Sequence, residues 1–203
     1  MKTIIFDTEA TELIPGQICQ IASLIVVDGQ IQGKNFFFSV DQMSQGAFEV
    51  HGLSIEALAE FSQGEYFEDR AQELLKDFGS ADLVVGHNVA ADERYLRVEM
   101  ERCGLKLKRL NTFCTMNYTT GIMNMVRKVV IGRPKPPKLE ELYTYYGIND
   151  EDICRQSSLW FQGGSDKHDA RFDTVATYMS MLAAIAKGDL RGMQGLAAVQ
   201  CQP

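Results

Sequence analysis

The sequence lacks the features that mark membrane proteins and disulfide-stabilised secreted proteins. No stretch approaches the roughly 20 consecutive apolar residues of a membrane span. The first apolar run, Thr3 to Phe6, is too short for a signal peptide and ends at Asp7. Five cysteines are present, an odd number, and no two have the CxxC spacing of a zinc ribbon. These absences predict a cytoplasmic protein with reduced thiols and without a membrane partner.

Linkers, internal repeats and low-complexity segments are also missing from the 203 residues. Hydrophobic residues make up 45% and charged residues 23%, which is typical of a soluble globular protein and excludes general disorder. We therefore expect one domain over residues 1–187. Residues 188–203 have weak periodicity and are predicted to form a C-terminal tail.

The pattern of apolar residues predicts an α/β fold. Thr3 to Phe6 and Ile18 to Val27 are rich in β-formers, and Asp28-Gly29 predicts a hairpin turn into a returning strand at Ile31 to Val40. Further strands are expected at 82–86 and 111–114. Helices are predicted near 54–61, 67–78, 90–103, 139–146 and 168–186. Residues 149–167 are predicted to be a long loop that contains Trp160.

Basic residues are fewer than acidic ones, 20 against 27, which gives a net charge of −7. Such a balance argues at first against nucleic acid, because phosphate contacts need Lys and Arg. Residues 102–139, however, contain nine basic residues and no acidic one. This block is a candidate surface for a nucleic-acid backbone, with Arg133, Lys135 and Lys138 in an extended loop. The alternative is a set of solvated loops and helix faces.

A pair of carboxylates follows the first predicted strand. Asp7 and Glu9 are two residues apart, so both side chains point to one face of the strand. Two carboxylates at a buried strand end repel each other unless a cation lies between them, and Mg²⁺ prefers such oxygen ligands. The alternative is that both are ordinary loop acids.

Two further motifs carry polar residues at helix starts. Asp92 lies in the first turn of a helix that Asn88 could cap, and by itself it could simply complement the helix dipole. His168 and Asp173 begin the last long helix. A histidine near a metal-bound water could accept its proton, although a lone histidine there could equally be a surface residue.

Taken in order, these motifs are specific. The chain reads FDTEAT at the first motif, HNxxxD at the second and HxxxxD at the third. Accessory segments are Val50-His51-Gly52-Leu53 and Leu139-Glu140-Glu141-Leu142. Over residues 1–187 the sequence resembles the DEDD superfamily of 3′→5′ exonucleases, in the subclass with a histidine in the third motif.

The resemblance implies a ribonuclease H-like fold, with a mixed central sheet flanked by helices. It implies two Mg²⁺ or Mn²⁺ ions on four catalytic acids, with His168 as the base that deprotonates the attacking water. Single-stranded DNA or 3′ ends of nucleic acid would be the substrate, DNA favoured, and a DNA polymerase a further partner. The acids would be Asp7, Glu9, Asp92 and Asp173. The substrate contacts would be Thr8, Ala10, Leu13, His51 and Asn88, in addition to the basic residues Arg133, Lys135 and Lys138.

The sequence departs from the family at one position, and two other functions are alternatives. Glu12 stands where the family usually has Gly, and it adds a negative charge near the 3′ end site. An aspartate-nucleophile phosphatase also has acids after its first strand, but no later GDxxxD-like pair occurs here. A non-catalytic nucleic-acid module of the same fold is the third possibility, and retention of all four acids and His168 argues against it.

Overall fold

A computed structural model describes residues 1–125 and 134–191 and shows a mixed five-stranded sheet in the order β3-β2-β1-β4-β5. The strands β1 to β3 form an antiparallel meander, and β4 and β5 run parallel to β1. The predicted α/β class and mixed sheet are confirmed. The strands are β1 (Lys2–Ala10), β2 (Ile18–Val27), β3 (Gln30–Phe37), β4 (Leu83–Gly86) and β5 (Thr112–Cys114).

Helices cover both faces of this sheet. In chain order they are α1 (Gln45–His51), α2 (Ile55–Phe61), α3 (Phe67–Gly79), α4 (Val89–Arg102), α5 (Thr115–Met123), α6 (Leu139–Tyr145), α7 (Asp150–Phe161) and α8 (Ala170–Lys187). Such a three-layer arrangement buries the apolar strands β1 and β4 on both sides.

The alternation of β1 decides which side chains meet which helices. Ile4 and Phe6 pack with α3 and α4, and the rings of Phe6 and Phe78 make an edge contact at 4.9 Å. Ile5 points the other way, into the apolar cluster that α8 supplies. Continuing this alternation past Phe6 directs Asp7 and Glu9 toward α8, and Thr8 toward α4.

Residues 150–161 form a helix inside the segment 149–167 that we predicted to be a loop. Asn149 caps α7 by accepting the N–H of Asp152, and Ile153 and Ser157, one turn apart, are buried. Trp160 lies near the end of this helix and packs edge-on against Tyr178 at 5.6 Å, so it anchors α7 to α8. The prediction of a loop was wrong for 150–161, because a capping asparagine and buried positions four residues apart favour a helix there.

Other differences from the prediction are smaller. The helices α1 and α5 were not predicted, and β3 ends at Phe37 rather than at Val40. At the C-terminal end, Gly188 closes α8 with a φ of 80°, and Leu190 packs on the core. Most of the predicted tail, 188–203, lies outside the described residues. Within the described ranges, no helix is long and apolar enough to cross a membrane.

Candidate active site

Three carboxylates converge where β1 meets the start of α8. Asp7 and Glu9 share the α8 face of β1, and Asp173 projects from the first turn of α8. One oxygen from each of these three residues lies within 4.8 Å of the others. Oxygen ligands at this spacing can share one divalent cation.

Asp92 approaches from the opposite side of β1. It is buried in the first turn of α4, and one of its oxygens accepts both the backbone N–H of Thr8 at 3.2 Å and the Thr8 hydroxyl at 2.8 Å. Thr8, predicted as a substrate contact, therefore restrains the fourth acid. Asp92 lies outside the close group of three, yet its charge acts on Asp7 and Glu9.

The electrostatics of these acids favour a bound cation. Burial, and then repulsion from the neighbouring carboxylates, raises the pKa of Asp7 and of Glu9 well above the usual range. Burial raises the pKa of Asp92 to about 6. Burial, with repulsion from Asp169 and Asp92, raises the pKa of Asp173 to about 7. No lysine or arginine forms an ion pair with these four acids among the described residues, so a metal ion fits the site.

His168 lies directly before α8 and is exposed to solvent. Its φ of 64° is in the left-handed region, which is uncommon for a residue other than glycine or asparagine. Such backbone strain is frequent at functional sites, where the surrounding structure maintains it. His168 borders a cavity of about 490 Å³ together with His51 and Asp169.

A hydrogen bond to His51 indicates which ring nitrogen carries the proton in the neutral form. The N–H of Leu53 donates to Nδ1 at 3.0 Å, so in the neutral ring the proton is on Nε2. Burial lowers the pKa of His51, and the nearby Ala10 carbonyl opposes this change. Nε2 is buried and has no hydrogen-bond partner within 1–125 and 134–191. The Nε2–H of His51 lies near the Ala10 carbonyl, in the wall of a cavity that Glu9 also lines.

A second cavity, of about 500 Å³, opens next to the acids. Apolar side chains form much of its wall, and two of them are unusually exposed, Leu13 at 94% and Ile14 at 75%. Leu13 therefore does not belong to the core. The lining residues are Thr8, Glu9, Ala10, Glu12, Leu13, Ile14, Ser44, Gly46, Ala47, Val50, His51 and Tyr95.

Polar side chains on α4 hold the loop that forms one wall of this cavity. The Tyr95 hydroxyl lies within hydrogen-bond distance of the carbonyls of Glu12 and Leu13, and the Arg102 guanidinium donates to those of Pro15 and Gly16. Sequence reasoning missed these residues, because their partners are backbone atoms more than 80 positions away.

One other predicted contact, Asn88, differs from expectation. Asn88 occupies the N-cap position of α4 with a φ of 71°, but its side chain makes no capping bond, so the predicted cap by this side chain was wrong. Asn88 is exposed and lines neither cavity described above.

The basic loop lies beside α6. Lys135 forms an ion pair with Glu141 at 2.5 Å, and Lys138 is an exposed N-cap residue. His87 anchors the segment, because its Nε2 lies 3.0 Å from the Pro137 carbonyl. Arg133 falls outside the described residues.

Comparisons with known proteins agree with this arrangement. The model of the RNase_T family, described as exonuclease, matches residues 4–153, which include Asp7, Glu9 and Asp92 but not His168 or Asp173. A comparison with curated protein sequences gave no match.

Solved structures of Escherichia coli exonuclease I have the same fold. A zinc-bound complex with single-stranded DNA has a TM-score of 0.69 at 17% identity, over 96% of this chain and 42% of that chain. A complex with a dT13 oligonucleotide has a TM-score of 0.69 at 16% identity, over 97% and 45%.

This chain therefore spans less than half the length of these solved proteins, and at such identities the likeness concerns the fold. The predicted ribonuclease H-like fold is confirmed. Because the family model matches well over half of the sequence, the chain belongs to the RNase_T family of exonucleases.

Proposed function

We propose that this protein is a divalent-metal-dependent 3′→5′ exonuclease that releases nucleoside 5′-monophosphates from single-stranded DNA ends. The observation that carries the proposal is the convergence of Asp7, Glu9 and Asp173 beside a cavity large enough for a nucleotide. Membership of an exonuclease family supports it. So does the fold shared with an exonuclease whose structures contain single-stranded DNA.

Asp7, Glu9 and Asp173 would hold one Mg²⁺ or Mn²⁺ ion, and Asp92 would contribute to a second. When bound, such ions stabilise developing charge on phosphate oxygens and make water more acidic. The chain contributes four acids whose pKa values are raised by burial, and at Asp7, Glu9 and Asp173 also by repulsion between carboxylates, which a bound cation would offset. Thr8 keeps the Asp92 carboxylate in place through two hydrogen bonds.

The two histidines would supply proton transfer and orientation. We propose that His168 accepts a proton from the attacking water, because its backbone lies against the Asp173 carboxylate and its side chain is open to solvent. His51 would turn its Nε2–H from the neighbouring Ala10 carbonyl to an oxygen of the terminal nucleotide. Leu13 and Ala10 would contact the last base and sugar, with Glu12 at the edge of the same cavity.

Basic residues would hold the strand further from its end. Lys138 and, nearby in sequence, Arg133 and Lys135 are the predicted contacts. Lys135 would leave its ion pair with Glu141 and pair with a phosphate instead. Neutralising all three should weaken DNA binding and flatten its dependence on salt. An unchanged salt slope would exclude this surface. Association with a DNA polymerase and a cytoplasmic location stay predictions.

The decisive experiment uses matched DNA and RNA strands, single and double, labelled at the 5′ end. With Mg²⁺ or Mn²⁺ we expect a ladder that shortens from the 3′ end of single-stranded DNA, with 5′-monophosphates as product and no cleavage in EDTA. Asp7→Asn should abolish cleavage. Asp28→Asn, the same chemical change in an exposed hairpin turn, is the matched control and should retain it.

The same assay, run beside one with a small phosphate ester as substrate, separates the rival functions. Hydrolysis of a small phosphate ester without strand shortening would indicate a phosphatase. Strand binding without either reaction would indicate a non-catalytic module. Shortening from the 5′ end would refute the proposed direction while leaving a nuclease.

A further inference from the structure

Gln20 is a fully buried polar residue at the junction of the sheet and α8. It lies on β2 directly opposite Glu9 of β1, so both side chains point to the face that α8 covers. A buried amide costs stability unless its donors and acceptor are all paired. The partners of Gln20 therefore show what it does.

Every polar group of this side chain has a partner. Nε2 donates to Oδ1 of Asn35 and to Oδ1 of Asp169, both at 2.9 Å, and Oε1 accepts the backbone N–H of Ala170 at 3.1 Å. Asp169 is the N-cap of α8 and also pairs with Arg171. Two of the three bonds thus connect β2 to the first residues of α8.

Those first residues determine where the third motif lies. His168 directly precedes Asp169, and the N–H of Asp173 donates to the Asp169 carbonyl at 3.1 Å. A shift at Asp169 would therefore move Asp173 relative to Asp7 and Glu9. It would also change the backbone of His168, which the surrounding structure keeps at a φ of 64°.

The rest of α8 docks without Gln20. Phe172, Val175 and Met181 pack into the apolar cluster, and the Thr174 hydroxyl donates to the Ala22 carbonyl. The fold accordingly has other contacts that hold the helix, whereas Gln20 acts only on its first turn.

We infer that Gln20 is a positioning residue that sets the metal ligand Asp173 and the base His168 in register with Asp7 and Glu9. The inference rests on the proposed function for its catalytic part. Residues that orient metal ligands typically change metal affinity or activity by about 10- to 100-fold when mutated.

Gln20→Met, which keeps the length of the side chain and removes its hydrogen bonds, is the test variant. We expect kcat to fall and Mn²⁺ affinity, measured by calorimetry, to weaken, each by about 10- to 100-fold, while KM for DNA stays close to wild type. Asn35→Ala is the matched control. It removes one bond of the same amide but leaves both bonds to α8, and it should keep both values near wild type.

The outcomes distinguish this role from simple stabilisation. A folded Gln20→Met variant with wild-type kcat and Mn²⁺ affinity would overturn the inference, as would equal losses in Asn35→Ala. If Gln20→Met does not fold, Gln20→Asn, whose amide is one methylene too short to keep all three bonds, should show the same losses. If the wild-type protein binds Mn²⁺ but cleaves nothing, the proposed function fails while Mn²⁺ affinity still tests Gln20.

Discussion

Replacing Asp173, one of the proposed metal ligands, should stabilise the metal-free protein. Asp173 is ionised only at a cost in the folded state, because burial and the carboxylates of Asp169 and Asp92 raise its pKa from the usual 3.8 to about 7. This difference corresponds to about 4 kcal/mol, at about 1.4 kcal/mol for each pH unit. Asp173→Asn removes that charge and keeps a side chain of similar size with an oxygen acceptor.

The sign of the pH dependence follows from proton binding. Between pH 3.8 and about 7 the folded protein retains a proton on Asp173 that the unfolded chain has released. The stability of the metal-free wild type therefore falls as the pH rises through this window, and it stays low above it. The variant lacks this loss, so its advantage should be larger at pH 8 than at pH 5.

The four acids repel one another, so part of the electrostatic cost of ionising Asp173 is shared with the titration of the neighbouring acids. We therefore expect Asp173→Asn to raise the free energy of unfolding by about 2 kcal/mol at pH 8 in EDTA, about half of the 4 kcal/mol that the pKa difference allows. For a protein of this size that is about 4 to 8 °C in Tm.

Thermal unfolding in EDTA at pH 5 and pH 8, repeated with Mn²⁺, measures the effect. Mn²⁺ should raise the Tm of the wild type at pH 8 and leave Asp173→Asn nearly unchanged. Asp166→Asn, an exposed acid just before the third motif, is the control and should not change Tm in EDTA. A Tm of Asp173→Asn at or below that of the wild type in EDTA at pH 8 would refute the reasoning.

Three further substitutions test individual roles. His168→Ala should lower single-turnover cleavage by about 10²- to 10⁴-fold while calorimetry shows unchanged Mn²⁺ binding, and full activity would exclude His168 as the base. Thr8→Val removes the hydroxyl that holds Asp92 and should raise the Mn²⁺ concentration needed for cleavage by about tenfold, whereas Thr8→Ser should restore it. Leu13→Ala should raise KM for DNA without changing Tm, because this side chain is 94% exposed, and a lower Tm would contradict a purely substrate-facing role.

Local rules predicted the residues of the site better than their surroundings. The two-residue period of a strand put Asp7 and Glu9 on one face, and the structure confirms that they share it with Asp173. The position of Asp92 in the first turn of a helix is likewise confirmed. Each of these predictions used residues within one strand or one helical turn, where backbone geometry alone decides the direction of a side chain.

The predictions that failed concern contacts between residues far apart in sequence, or segments whose pattern is compatible with both a loop and a helix. Residues 149–167 were predicted as a loop, although Asn149 caps the helix α7, in which Ile153 and Ser157 are buried. The role of Thr8 depends on Asp92, 84 residues away, and that of Gln20 on Asp169, 149 residues away. No periodicity within a segment carries such information.

The sequence by itself determined the α/β class, the order of the three acidic motifs and the concentration of positive charge in residues 102–139. Only the tertiary structure decided that Asp173 joins Asp7 and Glu9 while Thr8 holds Asp92, and that Gln20 connects β2 to α8. The physical reason is that an alternating strand presents successive side chains to opposite layers. Which residue of each layer they meet depends on how the helices pack, and packing is a property of the whole chain.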